Sequence, residues 1–374
     1  MIDATCAARQ KALAAALRER GLSACLVLDF EHRRDASLRY LCGQPSDALL
    51  VLDDQGHSVL IAWDINLARQ MGSAQHILPY TDYGRKPQTA LKAALELLGI
   101  PQGARIALPP STPYPDYIDY VAELDAFDLV CEKSGVHEAI TTMRARKDEA
   151  EIERYRHAAG LTDQLMDMVE AEVRAGRLAT ETDVALFLER EARLRGAEGM
   201  GFETLAAGPT RSFGIHAFPT FTAGPFGSQG FSILDFGINF EGYTTDVTMT
   251  FVRGELSSTQ QKMLALVREA YDRALAACAP GARILEVASA VDELFKAEGW
   301  FMPHSLGHGI GLEAHEAPLV SMRADSEARL EPGHIITLEP GLYHPEFGGV
   351  RLENDVLITA AGAEVLTHSR IVYL

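Results

Sequence analysis

Asp235 and Asp246 stand eleven residues apart in FSILDFGINFEGYTTDVTMTF, residues 231–251. The stretch reads as two strands around a turn near Phe240–Gly242, which puts the two acids opposite or nearly opposite each other. Directly opposed residues have Cβ atoms about 4.5–5.5 Å apart. Carboxylates that close repel, and segments this apolar belong inside, where an unpaired charge is costly. A divalent cation between the two acids answers both problems. The competing reading is a pair of solvated acids on an exposed face.

A second acid pair has the same layout. Glu339 ends the apolar run IITLEPG, and Glu353 interrupts the strand-like GGVRLENDVLI. They lie fourteen residues apart around Glu346–Gly349, again facing each other across a hairpin. Between the two acid pairs comes HSLGHGIGLEAHE, residues 304–316, in which three histidines alternate with glycines and aliphatics. Glycine at that density lets a backbone or ligand come close. One such histidine is ordinarily structural, and one such glutamate is ordinarily an exposed edge residue. Two acid-bearing hairpins and a Gly-rich histidine segment within one stretch of chain point instead to a metal centre. Four carboxylates and one imidazole suit hard or borderline divalent cations (manganese, cobalt or iron) rather than a thiolate zinc site. Two such ions about 3.5–4 Å apart lower the pKa of water and polarise a carbonyl, which equips a site for amide hydrolysis.

The elements that must hold these residues follow from pattern. Residues 5–20, 64–71 and 87–99 read as helices. Residues 22–30, 105–110 and 128–133 read as strands, and 48–63 as a hairpin turning at Asp53–Gly56. Strands alternating with helices predict an α/β domain over residues 1–136, in which no metal cluster or phosphate loop stands out. The charged stretch 143–176 predicts one long amphipathic helix opening a second domain, 137–374. A second helix follows at Thr180–Arg195, with Thr180–Asp183 as its capping region. A strand over 201–209, a Gly/Pro-rich aromatic loop carrying His216, the Asp hairpin, helices at 257–278 and 284–298, and a strand-rich final third complete the chain.

Composition sets further bounds. The chain has 374 residues and a formal net charge of −18, which argues against a nucleic-acid surface and against an anionic membrane. No apolar run approaches a membrane span. The five cysteines form no CxxC pair, and their odd number fits reduced thiols in a reducing, cytoplasmic setting. The N-terminus carries no recognisable secretory signal.

DFG-x8-D, HSLGHGIGLEAHE, LEPG and GGVRLEND resemble the motifs of the "pita-bread" metallopeptidases of M24 type. That superfamily includes prolidase, aminopeptidase P, methionine aminopeptidase and creatinase. The resemblance covers about 143–374, with all five ligand positions in order. It implies an α+β pita-bread catalytic domain and two divalent ions, Mn2+ or Co2+ foremost and Zn2+ or Fe2+ next. Its ligands fall on Asp235, Asp246, His308, Glu339 and Glu353, with Asp246 and Glu353 shared between the metals. It further implies His216 as a substrate contact, His315 as oxyanion stabiliser, Glu339 as proton carrier, and Arg351 as an orienting residue. The N-terminal domain is similar to the creatinase N-terminal domain in size, order and the LRYLCG segment. That favours the prolidase and aminopeptidase P branch, and the short gap between the two glutamates favours prolidase.

The activity implied is hydrolysis of the bond preceding proline in Xaa-Pro dipeptides, by a homodimer acting on small peptides. The alternatives are an Xaa-Pro aminopeptidase on longer peptides, a creatinase- or ectoine-hydrolase-like amidohydrolase, and a binding module that has lost catalysis. Such modules generally lose ligands, and this chain keeps all five. Three positions depart from the family pattern: Ala314 replaces an Ile or Val, Met249 an Arg, and Gln229-Gly230-Phe231 the usual Gly-Asp.

Overall fold

The computed structural model describes residues 3–374, so residues 1 and 2 of the expected first domain lie outside it. The chain divides into two compact units, Met1–Met143 and Arg144–Leu374. The division falls inside the helix Val136–Ala145, later than the boundary expected at 136/137.

The first unit is a six-stranded mixed sheet. In spatial order its strands are His76–Pro79, Ser58–Ala62, Ala48–Asp53, Ala24–Asp29, Arg105–Ala107 and Asp128–Val130. The expected hairpin pairs Ala48–Asp53 with Ser58–Ala62 antiparallel, and both strands are fully buried. The segment after Pro113 is a helix, Tyr114–Glu123. Pro115 lies in its first turn, where no backbone N–H is needed. Among the described residues no helix is long and apolar enough to cross a membrane.

The second unit holds two larger sheets. In the first, the order is Ile371–Tyr373, Val247–Arg253, Gly230–Phe236 and Leu205–Ala207. The helices Glu149–Arg174 and Glu181–Leu194 bury Leu165, Met166, Val169 and Leu188 against its Leu234, Phe236, Met249 and Phe251. Met249, at a position where the family resemblance has Arg, is fully buried in this apolar layer. The second sheet runs Glu316–Val320, Gly307–Gly309, Ile335–Leu338, Asn354–Thr359 and Gly362–Val365. The helices Ser258–Ala277 and Ile284–Ala297 pack Met263, Val267, Val291 and Phe295 with its Ile336, Leu338 and Val356.

The long helix expected over 143–176 is interrupted. Asp148 caps Glu149–Arg174 with a reciprocal pair of bonds to Glu151, and the N–H of Lys147 donates instead to Gly333 O at 2.8 Å. In the segment 201–209, expected to be a strand running into a turn, the strand is Leu205–Ala207.

Both acid hairpins form, with different registers. Asp235 faces Thr248 across the antiparallel pair, so Asp246 lies two positions off, on the diagonal. Phe236 faces Val247, and the same register carries on through Asn239 facing Thr244, which sets Gly237 against Asp246. A Cβ on Gly237 would stand 1.6 Å from Thr245 O, so only glycine fits. Gly237→Ala is expected to cost at least about 1–3 kcal/mol of overpacking, read as a lower urea midpoint. The glutamates face each other directly. Leu338 pairs with Asn354 and Gly341 with Arg351, so the intervening Glu339 and Glu353 share that register.

Candidate metal centre

The two hairpins join at Thr248. Its carbonyl accepts the N–H of Glu353 at 3.3 Å, and its hydroxyl donates to Glu353 Oε2 at 2.7 Å. The Asp pair and the Glu pair therefore meet edge to edge. Asp246, His308 and Glu353 can each offer a ligand atom within 4.8 Å of the others, and all three are buried. His308 Nε2 lies 3.8 Å from Asp246 Oδ2 and 3.5 Å from Glu339 Oε1. A bulge between His308 and Gly309 sets this imidazole, and a Cβ on Gly309 would stand 2.0 Å from Ala317 O. Asp235 enters from the neighbouring strand, with Oδ2 accepting from Arg351 Nη2 at 2.5 Å.

The electrostatics are those of a crowded acid site. Burial, and then the charges of Glu353 and Asp235, push Asp246 well above the usual carboxylate range. Burial and Glu353 push Glu339 the same way. Burial, then Asp235, raise Glu353 to about 8. Burial and neighbouring His315 lower His308 to about 4, which leaves the neutral imidazole that binds metals.

These residues fit divalent cations. Asp235 Oδ1 is buried with no hydrogen-bond partner, although its other oxygen is satisfied. An orphaned carboxylate oxygen beside three repelling acids calls for a positive charge. One imidazole among oxygen donors is the ligand chemistry of such ions. Asp246, His308 and Glu353 form the tightest group, and Glu339 and Asp235 border it.

His315 adjoins the cluster, and His216 is near enough to act on His315 electrostatically. Their rings are exposed, and His315 lies 4.1 Å from the His308 ring, centre to centre. Burial and then His216 lower the basicity of His315, and His216 also acts on His304. Arg351, expected to orient the substrate, is buried and makes contacts within the chain. It is 2% exposed, and its donors go to Thr248 Oγ1, Tyr343 OH, Ile215 O and Asp235. Its Nη2 bond holds Asp235 in place.

Sequence reasoning passed over His304 and Tyr343. His304 Nδ1 lies 3.7 Å from Glu339 Oε2, and its Nε2 lies 3.0 Å from Tyr343 OH. His304 belongs to the same Gly-rich segment as His308, which was the available signal. Nothing in the sequence marks Tyr343.

Behind the His315 loop lies a buried ion cluster. Glu316 accepts from Arg144 Nη2 at 2.6 Å and from Lys147 Nζ at 3.1 Å, and Arg144 also donates to Glu313 at 2.5 Å. Burial raises the Glu316 carboxyl, but Lys147 and Arg144 outweigh it and hold it below the usual range. A lowered folded-state pKa gives stability present above the unfolded glutamate range and lost as pH falls through the folded value. Glu316→Ala leaves Lys147 buried without its acid and Arg144 with Glu313 alone, and about 3–5 kcal/mol of stability is expected to go with it. Chemical denaturation at pH 7 and pH 4 checks both points, with a smaller mutant-to-wild-type gap at pH 4.

A carboxylate-rich, single-imidazole cluster at the junction of two sheets defines a metallohydrolase type of site. The model of metallopeptidase family M24 matches residues 153–360, more than half the chain. The chain belongs to metallopeptidase family M24. It is 34% identical over 235 residues to a putative dipeptidase of Bacillus subtilis (strain 168), covering 62% of this chain and 63% of that protein. The match thus spans less than two thirds of the curated relative's length. Among solved structures it resembles an X-Pro aminopeptidase from Thermotoga maritima MSB8, with TM-score 0.80, 28% identity, and 95% of this chain and 99% of that one covered. It also resembles an Xaa-Pro dipeptidase from Bacillus anthracis, with TM-score 0.83, 26% identity, and 99% and 100% covered. The fold is an α/β N-terminal unit followed by the α+β pita-bread unit.

Proposed function

We propose that the protein hydrolyses the peptide bond preceding proline, in Xaa-Pro dipeptides, using two divalent ions, manganese or cobalt foremost. The observation that carries this reading is the junction of the two acid hairpins around His308, with His304 and His315 beside it. The proline preference is drawn from the similarity to the Xaa-Pro dipeptidase and X-Pro aminopeptidase structures. The ligands are Asp235, Asp246, His308, Glu339 and Glu353. When bound, the ions supply Lewis-acid polarisation of the scissile carbonyl and a lower pKa for the attacking water.

The chain's own residues do the rest. Glu339, with 18% of its side chain exposed, takes the proton of the attacking water and returns it to the leaving imino nitrogen. His315 donates to the carbonyl oxygen as negative charge gathers there. His216 orients the substrate. Arg351 holds Asp235, and Tyr343 holds Arg351 and His304. The residues before 137 act as a creatinase-like N-terminal domain in a cytoplasmic homodimer.

Xaa-Pro dipeptides, Xaa-Pro-Yaa tripeptides and non-proline controls, given to metal-stripped protein with manganese, cobalt or zinc added back, test this. Metal-dependent cleavage of the dipeptides alone is expected. Cleavage mainly of tripeptides moves the reading to the aminopeptidase, which the Thermotoga likeness favours. No cleavage with any metal overturns the substrate assignment.

A further inference from the structure

The loop that carries His216 is fastened at its base by one buried acid outside the metal cluster. Glu181 opens the helix Glu181–Leu194 and is 1% exposed. Its Oε1 accepts the N–H of Gly208 at 2.7 Å. Its Oε2 accepts Arg211 Nη1 at 2.9 Å, the Thr222 N–H at 2.7 Å and the Thr222 hydroxyl at 2.6 Å. Gly208 and Arg211 belong to the leg entering the loop, and Thr222 to the leg leaving it. Arg211 donates its second nitrogen to Pro219 O, which ties the legs together again. The helix start adds backbone bonds from Glu181 N to Gly224 O and from Thr182 N to Thr222 O, at 2.9 and 3.0 Å. A Cβ on Gly208 would stand 2.0 Å from Pro225 O, so the legs can approach this closely only at a glycine.

The far side of the loop touches the site. Ile215 O accepts from Arg351 Nη1 at 3.3 Å, and Ser212 Oγ accepts the Gly349 N–H at 3.1 Å. His216 follows Ile215 directly in the chain. The loop is thus held at its base by Glu181 and along its side by Arg351, and His216, an exposed residue, comes in the chain between the Ile215 anchor and the Thr222 anchor.

We infer that Glu181 is a positioning residue for His216, the clasp that fixes both legs of the loop. The inference rests on the reading of His216 as a substrate-facing group. A buried carboxylate with four donors holds geometry tightly, because losing it strands several N–H groups at once. A displacement of about 1 Å in a positioned group can cost about 10²-fold in rate.

The test compares manganese-loaded wild type with Glu181→Gln. Amides of residues 209–223 are expected to exchange hydrogen for deuterium faster in the variant, with the rest of the chain unchanged. kcat/KM on an Xaa-Pro dipeptide is expected to fall by about 10²-fold, with bound manganese unchanged. In a His216→Ala background the same substitution is expected to change kcat/KM by less than about twofold, because both act through one group. Unaltered exchange in 209–223 overturns the clasp, as does a second full loss in the His216→Ala background. Thr222→Val removes only the hydroxyl bond and gives the same pattern on a smaller scale should Glu181→Gln fail to fold. If wild type cleaves no Xaa-Pro substrate, the proposed function falls, and the exchange measurement still decides the clasp.

Discussion

Asp246→Asn is expected to remove hydrolysis while making the metal-free protein more stable. Asp246 lies among acids that raise one another's pKa, and its backbone N–H is held by Asp355 Oδ2 at 3.1 Å. The amide keeps the shape and the backbone bond and gives up the charge. Without metal this relieves repulsion, so the urea midpoint of the stripped variant rises above that of stripped wild type at pH 8. With metal the order reverses, since the variant has lost a charged ligand. Lewis-acid stabilisation is worth several kcal/mol, so the rate is expected to fall by about 10³-fold or more. A variant that kept near-normal rate and its full metal content would show that the centre lies elsewhere. Glu353→Gln is expected to behave alike, because Glu353 is the most enclosed acid of the cluster, at 2% exposure.

Stripping the metals from wild type is expected to lower the melting temperature strongly. A ligand at a hundred times its dissociation constant stabilises the native state by about 2.7 kcal/mol. For a unit of this size each kcal/mol moves the midpoint by about 2–4 °C, so one ion is worth about 5–10 °C. The effect is expected to grow with pH. Glu353 rises to about 8, and Asp246 and Glu339 are also raised, so cations must displace protons from the cluster below that pH. Calorimetry in buffers of different ionisation heat reads the released protons directly. A melting shift independent of pH between 6 and 8 would count against this ligand set.

Much of the centre was legible because strand chemistry repeats every two residues. Acids ending or interrupting apolar runs, at spacings a hairpin can close, marked Asp235, Asp246, Glu339 and Glu353. The glutamates meet in the expected register, whereas the aspartates are offset by two positions. Turn position alone could not fix that offset. Arg351 was assigned by its place beside Glu353, and only packing shows that Asp235, Thr248, Tyr343 and Ile215 take up its donors. Tyr343 and Glu181 act through contacts remote in sequence, which leave no local periodicity. The break at Asp148 was hidden because Asp, Glu and Lys in a charged stretch serve a helix surface and a helix cap equally well.

The order in which the ligands occur along the chain bears on how the protein is made. Glu353 follows the other four candidate ligands in the chain, and the strand Ile371–Tyr373 runs parallel to Val247–Arg253 in the Asp-bearing sheet. During synthesis the first unit is complete while the second still lacks three of its five candidate ligands. Domains fold as units as they emerge, so the nascent catalytic unit passes through a stage with two carboxylates in place and no imidazole to join them. Metal capture by the proposed ligand set therefore waits for His308, Glu339 and Glu353. A chain cut before Glu353 lacks a proposed ligand, and one cut before Ile371 lacks the strand that pairs with Val247–Arg253.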